Sequence, residues 1–148
     1  MFKLNLYIHV EPNAIQSSPK GWYYCLEYGI HRVYGSGTGV MTYNKATLMA
    51  VCAGLGRLVQ NSEVRIHSEN TWAMNAMNGT FRAPSALMKW AETDFRKRGG
   101  EEIANADYWR MIYQKTLSHK IIGVPVGRED HTWLASISKE HKCDKHEP

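Results

Sequence analysis

The segment Val64-Arg65-Ile66-His67-Ser68-Glu69-Asn70-Thr71-Trp72-Ala73 changes its period midway. Val64 and Ile66 alternate with Arg65 and His67, the two-residue period of a strand with unlike faces. After the carboxylate of Glu69, Asn70 or Thr71 can cap a helix that opens on Trp72, Ala73 and Met74. In open α/β sheets, sites gather where strands end and helices begin, so Glu69 stands where chemistry would stand. The plain alternative is a solvated residue at a strand end.

Upstream, Phe2 to Glu11 alternates apolar Phe2, Leu4, Leu6, Ile8 and Val10 with Lys3, Asn5, Tyr7, His9 and Glu11, which predicts a first strand. A polar loop with Pro12 and Pro19 leads to an aromatic strand, Trp22 to Tyr28. Gly29 turns the chain into a third strand, Ile30 to Tyr34. The following Gly35-Ser36-Gly37-Thr38-Gly39 has neither the lysine of a phosphate loop nor the spacing of a dinucleotide fingerprint, so it reads as a flexible strand end. A mostly apolar helix runs from beyond Thr42 to about Val59, with Gly54 and Gly56 allowing close approach to a strand.

Downstream, a short helix from Thr71 stops at Asn78-Gly79. A helix beginning at Pro84-Ser85 ends in the basic run Arg96-Lys97-Arg98-Gly99-Gly100. Asn105 caps the next helix, with Asp107 in its first turn. Lys120 to Val126 is a fifth strand, and Pro125 puts it at an edge. A last helix spans Thr132 to about Glu140, and His141 to Pro148 form a polar tail. The expected fold is α/β: a mixed five-stranded sheet, an antiparallel three-stranded meander plus parallel strands, with helices on its faces.

The chain's 148 residues suit a single domain with a real core. A net charge of +4 is compatible with a polyanionic partner only if the basic residues cluster. The three cysteines, Cys25, Cys52 and Cys143, have no paired spacing. Cys25 and Cys52 fall in apolar runs, which predicts buried free thiols. No run reaches membrane-spanning length and no secretory h-region opens the chain, so the expectation is a cytoplasmic protein without a membrane partner.

These elements, in this order, resemble the type 1 ribonuclease H family over roughly Leu4 to Glu140. The resemblance rests on Gly21 to Tyr28, on Asn44 to Leu58, and on Val64 to Trp72, which is similar to the family's strand-Thr-Asp-Ser-x-Tyr segment. Arg96-Lys97-Arg98-Gly99 is similar to the basic end of its handle helix. Asn105-Ala106-Asp107-Tyr108-Trp109 is similar to its Asn-x-Asp-Leu-Trp, and Leu134-Ala135 to its final helix. The resemblance implies the same fold and cleavage of the RNA strand of RNA·DNA hybrids by two metal ions held by four carboxylates. Magnesium needs such hard oxygen ligands.

At those four positions the chain offers Val10, Thr47, Glu69 and a residue near Thr132, so Glu69 is the one family carboxylate kept. The family's loop histidine is replaced by Arg128. Too little negative charge remains for two Mg²⁺, and a conventional ribonuclease H reaction is not expected. A one-residue bulge in the first strand would set Glu11 beside Glu69, with His9 and His67 near them and Asp130 and His131 approaching from the last helix. That cluster would suit Mn²⁺ or Zn²⁺; the alternative is a polar sheet edge.

The binding features are better kept. By resemblance, Thr42 and Asn105 grip a DNA phosphate, Asn44 reads the minor groove of a hybrid, and Lys97 and Arg98 form the basic handle. Each also has a structural reading, as a helix cap or a solvated helix end. Three functions follow: a nucleic-acid binder on a degenerate nuclease fold, a divergent active nuclease needing Mg²⁺ or Mn²⁺, and a protein-interaction module anchored on exposed Trp22, Tyr23, Trp72 and Trp133.

Overall fold

The computed structural model describes residues 1–80 and 82–139. Strands β1 (Phe2–Glu11), β2 (Ser18–Tyr28), β3 (His31–Met41), β4 (Ser62–Ser68) and β5 (Lys120–Pro125) form one sheet in the order β3-β2-β1-β4-β5. β1, β2 and β3 are an antiparallel meander, while β4 runs parallel to β1 and β5 parallel to β4. This is the mixed five-stranded sheet expected, with β5 at its edge. The helices are α1 (Tyr43–Leu55), α2 (Thr71–Ala76), α3 (Ala86–Glu92), α4 (Ala106–Thr116) and α5 (His131–Ser138).

Three of these helices begin where a short polar side chain can satisfy a free backbone N–H. Thr42 Oγ1 accepts from Lys45 N at 3.2 Å, Asn70 Oδ1 from Ala73 N at 3.0 Å, and Ser85 Oγ from Met88 N at 3.1 Å. Leu6, Ile8, Val64 and Ile66 then pack with Leu48, Val51 and Leu55 of α1 in the main core. Gly54 lies against Leu6, where a Cβ would overlap the leucine side chain, so the helix sits close on the strand as the glycine suggested.

The opposite face of the sheet departs from the alternation pattern. Tyr7 and His9 lie on the more polar face of the alternation, yet both are buried. α5 covers them: Leu134 packs between Tyr7 and Cys25, closing a second, smaller core. Cys25 and Cys52 are both buried and free. Burial raises the Cys25 thiol above its ordinary value and pushes Cys52 up to about 12.

Several boundaries also differ. β2 begins at Ser18 rather than Trp22, and its first turn is held by the buried Lys20, whose Nζ donates to Ala14 O at 2.7 Å and Ser18 Oγ at 2.9 Å. The glycine run is not a flexible end but the middle of β3. The Tyr24 ring lies over Gly35 and the Trp22 ring over Gly37, where any Cβ would collide with them. Trp22 and Tyr23 are accordingly half-buried, whereas Trp72 and Trp133 are exposed. α1 stops at Leu55, leaving Val59 exposed. α5 begins one residue early, at His131, and ends at Ser138. Glu140, Cys143 and the tail His141 to Pro148 lie outside the described residues.

The largest difference concerns the basic run. α3 ends at Glu92, because Asp94 and Phe95 adopt φ values of 56° and 58°. Arg96 then pairs with Glu102 in an antiparallel bridge, and Lys97 N bonds Glu101 O, so Lys97 and Arg98 sit on a tight turn rather than at a helix end.

Two outcomes follow for stability and reactivity. Gly35→Ala forces the Tyr24 ring off its seat and should cost about 1–3 kcal/mol in a denaturant melt, the range of core overpacking. Native Cys25 and Cys52 should label slowly with a thiol reagent and react fully only after unfolding.

Candidate active site

The parallel register pairs Leu6 with Ile66 and Tyr7 with His67. Continued by two residues, it brings His9 level with Glu69 on the face covered by α5. No bulge intervenes. The strand position facing Glu69 is therefore held by His9. Val10 points the other way and is buried against Met41 and Ala46. The two-residue period puts Val10 and Glu69 on opposite faces, so the Val10 position offers nothing toward Glu69.

Thr47 is fully buried. Its Oγ1 donates to Tyr43 O at 3.0 Å and accepts from Asn70 Nδ2 at 3.1 Å. The same Asn70 amide donates to Asn44 Oδ1 at 2.9 Å. Asn70 thus locks the start of α2 onto α1 with neutral hydrogen bonds. Among the described residues, its polar partners there are an amide and a hydroxyl, not carboxylates.

On the α5 side, His131 Nδ1 meets Glu69 Oε1 at 2.6 Å. His9 Nε2 lies 3.1 Å from Glu11 Oε2, and Lys139 Nζ lies 2.6 Å from Glu11 Oε1. The His9 and His131 rings are 5.5 Å apart, and Lys139 sits over the Tyr23 ring. His67 is turned aside: its Nε2 bonds Asn5 Oδ1 at 2.9 Å and its ring stacks on Tyr7. Asp130 is exposed at the turn into α5. The side chains near Glu69 stand as discrete pairs rather than as one histidine and carboxylate cluster. Among the described residues, no group of three His, Cys, Asp or Glu side chains could hold a metal ion. The residues present therefore do not fit a two-metal centre.

Beside Glu69 opens a polar cleft of about 300 Å³, lined in part by Tyr43, Thr71 and Arg128. Burial and then the Glu69 charge push the Tyr43 hydroxyl up to about 12, so it stays a proton donor. Neither Tyr43 nor Lys139 was singled out from sequence. A spacing of eight residues from His131 to Lys139, two helical turns, was the available signal.

The binding candidates lie elsewhere. Thr42 is exposed and uses its hydroxyl as the α1 cap. Asn44 spends its carbonyl on Asn70, which leaves its amide donors for another partner. Asn105 stands at the α4 cap position in the left-handed conformation, yet makes no side-chain capping bond. Asn105 therefore caps α4 by position and through its backbone carbonyl, not through its side chain as the sequence suggested. Arg96 and Arg110 are engaged by Asp94 and Glu102, with Arg110 Nη2 2.6 Å from Glu102 Oε2. Lys97 and Arg98 are exposed, and among the described residues neither has an ion pair.

The site predicts a pH response. Burial, outweighing the Glu11 contact, lowers the His9 pKa, and burial lowers that of His67. The unfolded chain protonates these imidazoles near about 6.5, before the folded chain does. It therefore binds more protons below that pH, and stability falls as pH drops through the lowered folded values. Melting temperature should decline from pH 7 toward pH 5. The double variant His9→Gln/His67→Gln should flatten that decline, and an unchanged slope would exclude these two groups as its source.

No protein-family model matches the chain. It is 30% identical over 103 residues to the ribonuclease H of Nitrosospira multiformis and 32% identical over 104 residues to that of Saccharopolyspora erythraea. Each match covers 68% of this chain and 62% or 63% of the relative, so the chain spans a little under two thirds of these relatives' length. Among solved structures, LC9-RNase H1, a type 1 RNase H with the type 2 active-site motif, superposes with a TM-score of 0.66 at 14% identity, covering 93% of this chain and 70% of that one. A foamy viral protease-reverse transcriptase in complex with double-stranded DNA superposes with a TM-score of 0.55 at 17% identity, covering 93% and 89%. Sheet order, helix placement and sequence relatives agree: the chain has the ribonuclease H-like fold and is similar in sequence to bacterial ribonucleases H.

Proposed function

We propose that the chain binds RNA·DNA hybrid on a ribonuclease H scaffold and no longer runs two-metal catalysis. The observation that carries this reading is the exchange at the strand ends. His9 stands level with Glu69, Val10 is buried on the other face, and Thr47 is closed into neutral hydrogen bonds. Four acids crowded without cations would repel one another, and here Glu11 is paired with Lys139 and Glu69 is hydrogen-bonded to His131. The grip is supported by the free amide donors of Asn44, the uncommitted side chain of Asn105, and the unpaired cations of Lys97 and Arg98. The viral neighbour's complex with DNA is consistent with a nucleic-acid surface on this fold.

A second reading, a divergent metal-dependent ribonuclease H, is favoured by one observation: the sequence relatives carry that name. Labelled hybrid separates the two. Under the binding reading the protein should not cleave hybrid in Mg²⁺ or Mn²⁺ at a rate above buffer. Robust metal-dependent cleavage, abolished in Glu69→Gln, would instead establish the enzyme.

Binding is measured by fluorescence anisotropy with hybrid, duplex DNA and single strands across a salt series. Log affinity should fall with log salt at a slope of about −0.7 to −0.9 per phosphate neutralised. Lys97→Ala/Arg98→Ala should flatten that slope by roughly one to two units without changing sequence preference. Asn44→Ala should reduce discrimination between hybrid and duplex DNA, since the minor-groove 2′-hydroxyl tells RNA from DNA. If no nucleic acid binds better than to an unrelated basic protein, this reading is wrong.

A further inference from the structure

We propose that the open edge of the sheet, strand β3, docks a second copy of this chain, the two strands pairing antiparallel about a two-fold axis at Ser36. The inference is independent of the nucleic-acid reading above. β3 stands at the end of the sheet order, and among the described residues it pairs with β2 alone. Its register with β2 runs unbroken from Tyr28 opposite His31 to Ser18 opposite Met41, so no bulge twists the edge away. The strand holds no proline and no lysine, the residues that ordinarily blunt a free edge. The hairpin fixes which backbone groups are free. A two-residue turn, Gly29-Ile30 with Gly29 at φ 60°, closes on the Tyr28–His31 pair, so the odd positions of β3 bond β2. The N–H and C=O groups of Arg32, Tyr34, Ser36, Thr38 and Val40 then point outward. All of these residues but Tyr34 are exposed.

A second copy fits this edge because its pattern is complementary to itself. About Ser36 the outward positions oppose one another: Tyr34 faces the partner's Thr38, and Arg32 faces the partner's Val40. Each such pair exchanges both of its backbone hydrogen bonds. No like charges meet, since the cationic end of the strand, His31 and Arg32, lies against the apolar end, Val40 and Met41. Val40 is 72% exposed, and Arg32 keeps its guanidinium 2.9 Å from Glu27, which leaves the arginine stem free to cover the partner's Val40. On the α1 face, the Tyr24 ring lies over Gly35 and the Trp22 ring over Gly37. The pairing opposes these two glycines, so each Tyr24 comes beside the partner's Trp22. One strand spacing, about 4.8 Å, then separates the rings, within the range of aromatic pairs. Two five-stranded sheets become one continuous sheet, in which the two Glu69 strand ends point in opposite directions and stay uncovered.

Sedimentation velocity of the full chain across a concentration series reads the association. The parent should pass from monomer to dimer as concentration rises and should stop there, because the pairing occupies β3 of both copies. Val40→Lys sets a lysine against the partner's Arg32 at two symmetric places and should weaken the dimer about tenfold. Val40→Glu sets a carboxylate there and should strengthen it by about the same factor. Opposite effects of two charged substitutions at one exposed valine do not arise from loss of the fold, and a thermal melt of each variant checks that it is folded. A chain that stays monomeric at every soluble concentration overturns the proposal. A dimer that ignores both substitutions also overturns it, since that dimer forms through another surface. So does a dimer weakened alike by lysine and glutamate, or growth into open-ended assemblies, since neither is the closed pairing about Ser36.

Discussion

The parallel pairing of β1 with β4 is the constraint on which the rest of the site depends. With Leu6 opposite Ile66 and no bulge, every side chain beyond that pair has its face decided. Leu6, Ile8 and Val10 go to the α1 side with Val64 and Ile66, and Tyr7, His9, His67 and Glu69 go to the α5 side. A slip of one residue would bury Glu69 beneath α1 and expose the core. The apolar residues that hold the register therefore also place the polar ones. The identity of the residue that faces Glu69 follows from packing far from it.

That placement explains why the site is stable without a cation. Carboxylates drawn from neighbouring strands and helices repel at short range, and desolvation adds to the cost. Here each acid on the α5 side has a basic neighbour from α5 or its end: His131 for Glu69 and Lys139 for Glu11. On the α1 side stands Thr47, whose hydroxyl accepts from the Asn70 amide. Charged pairs on one side and neutral hydrogen bonds on the other thus meet at the strand ends.

Much of this was legible in the sequence, and the failures have physical causes. The five strands, the edge position of Lys120–Pro125 and the cap at Asn70 follow from period and local chemistry, which act over a few residues. Burial of the second face of β1 was not legible, because Tyr7 and His9 look polar in alternation while α5, remote in sequence, lies on them. The glycine run misled for the same reason. Gly35 and Gly37 weaken a strand locally, but Tyr24 and Trp22 occupy the space they leave. At Arg96 to Gly100 helical composition lost to the left-handed backbone at Asp94 and Phe95, which no periodicity reports. Glu69 and His131 were both candidates in the sequence; their bond was not, since it joins residues on separate elements.

The exposed basic turn and the strand-end pairs occupy different parts of the chain and rest on different forces. Lys97 and Arg98 stand on a turn held by the Arg96–Glu102 bridge, and their contribution is long-range, screened by salt and tolerant of position. The Glu69–His131 pair is short-range, set by a strand end and a helix start, and its geometry leaves no such tolerance. The two regions need not be retained or lost together. Under the binding reading, fewer acids at the strand ends would also mean less repulsion of a phosphate backbone. Under the same reading, the metal ligands and the grip on a polyanion are opposed electrostatic demands on one face of the sheet.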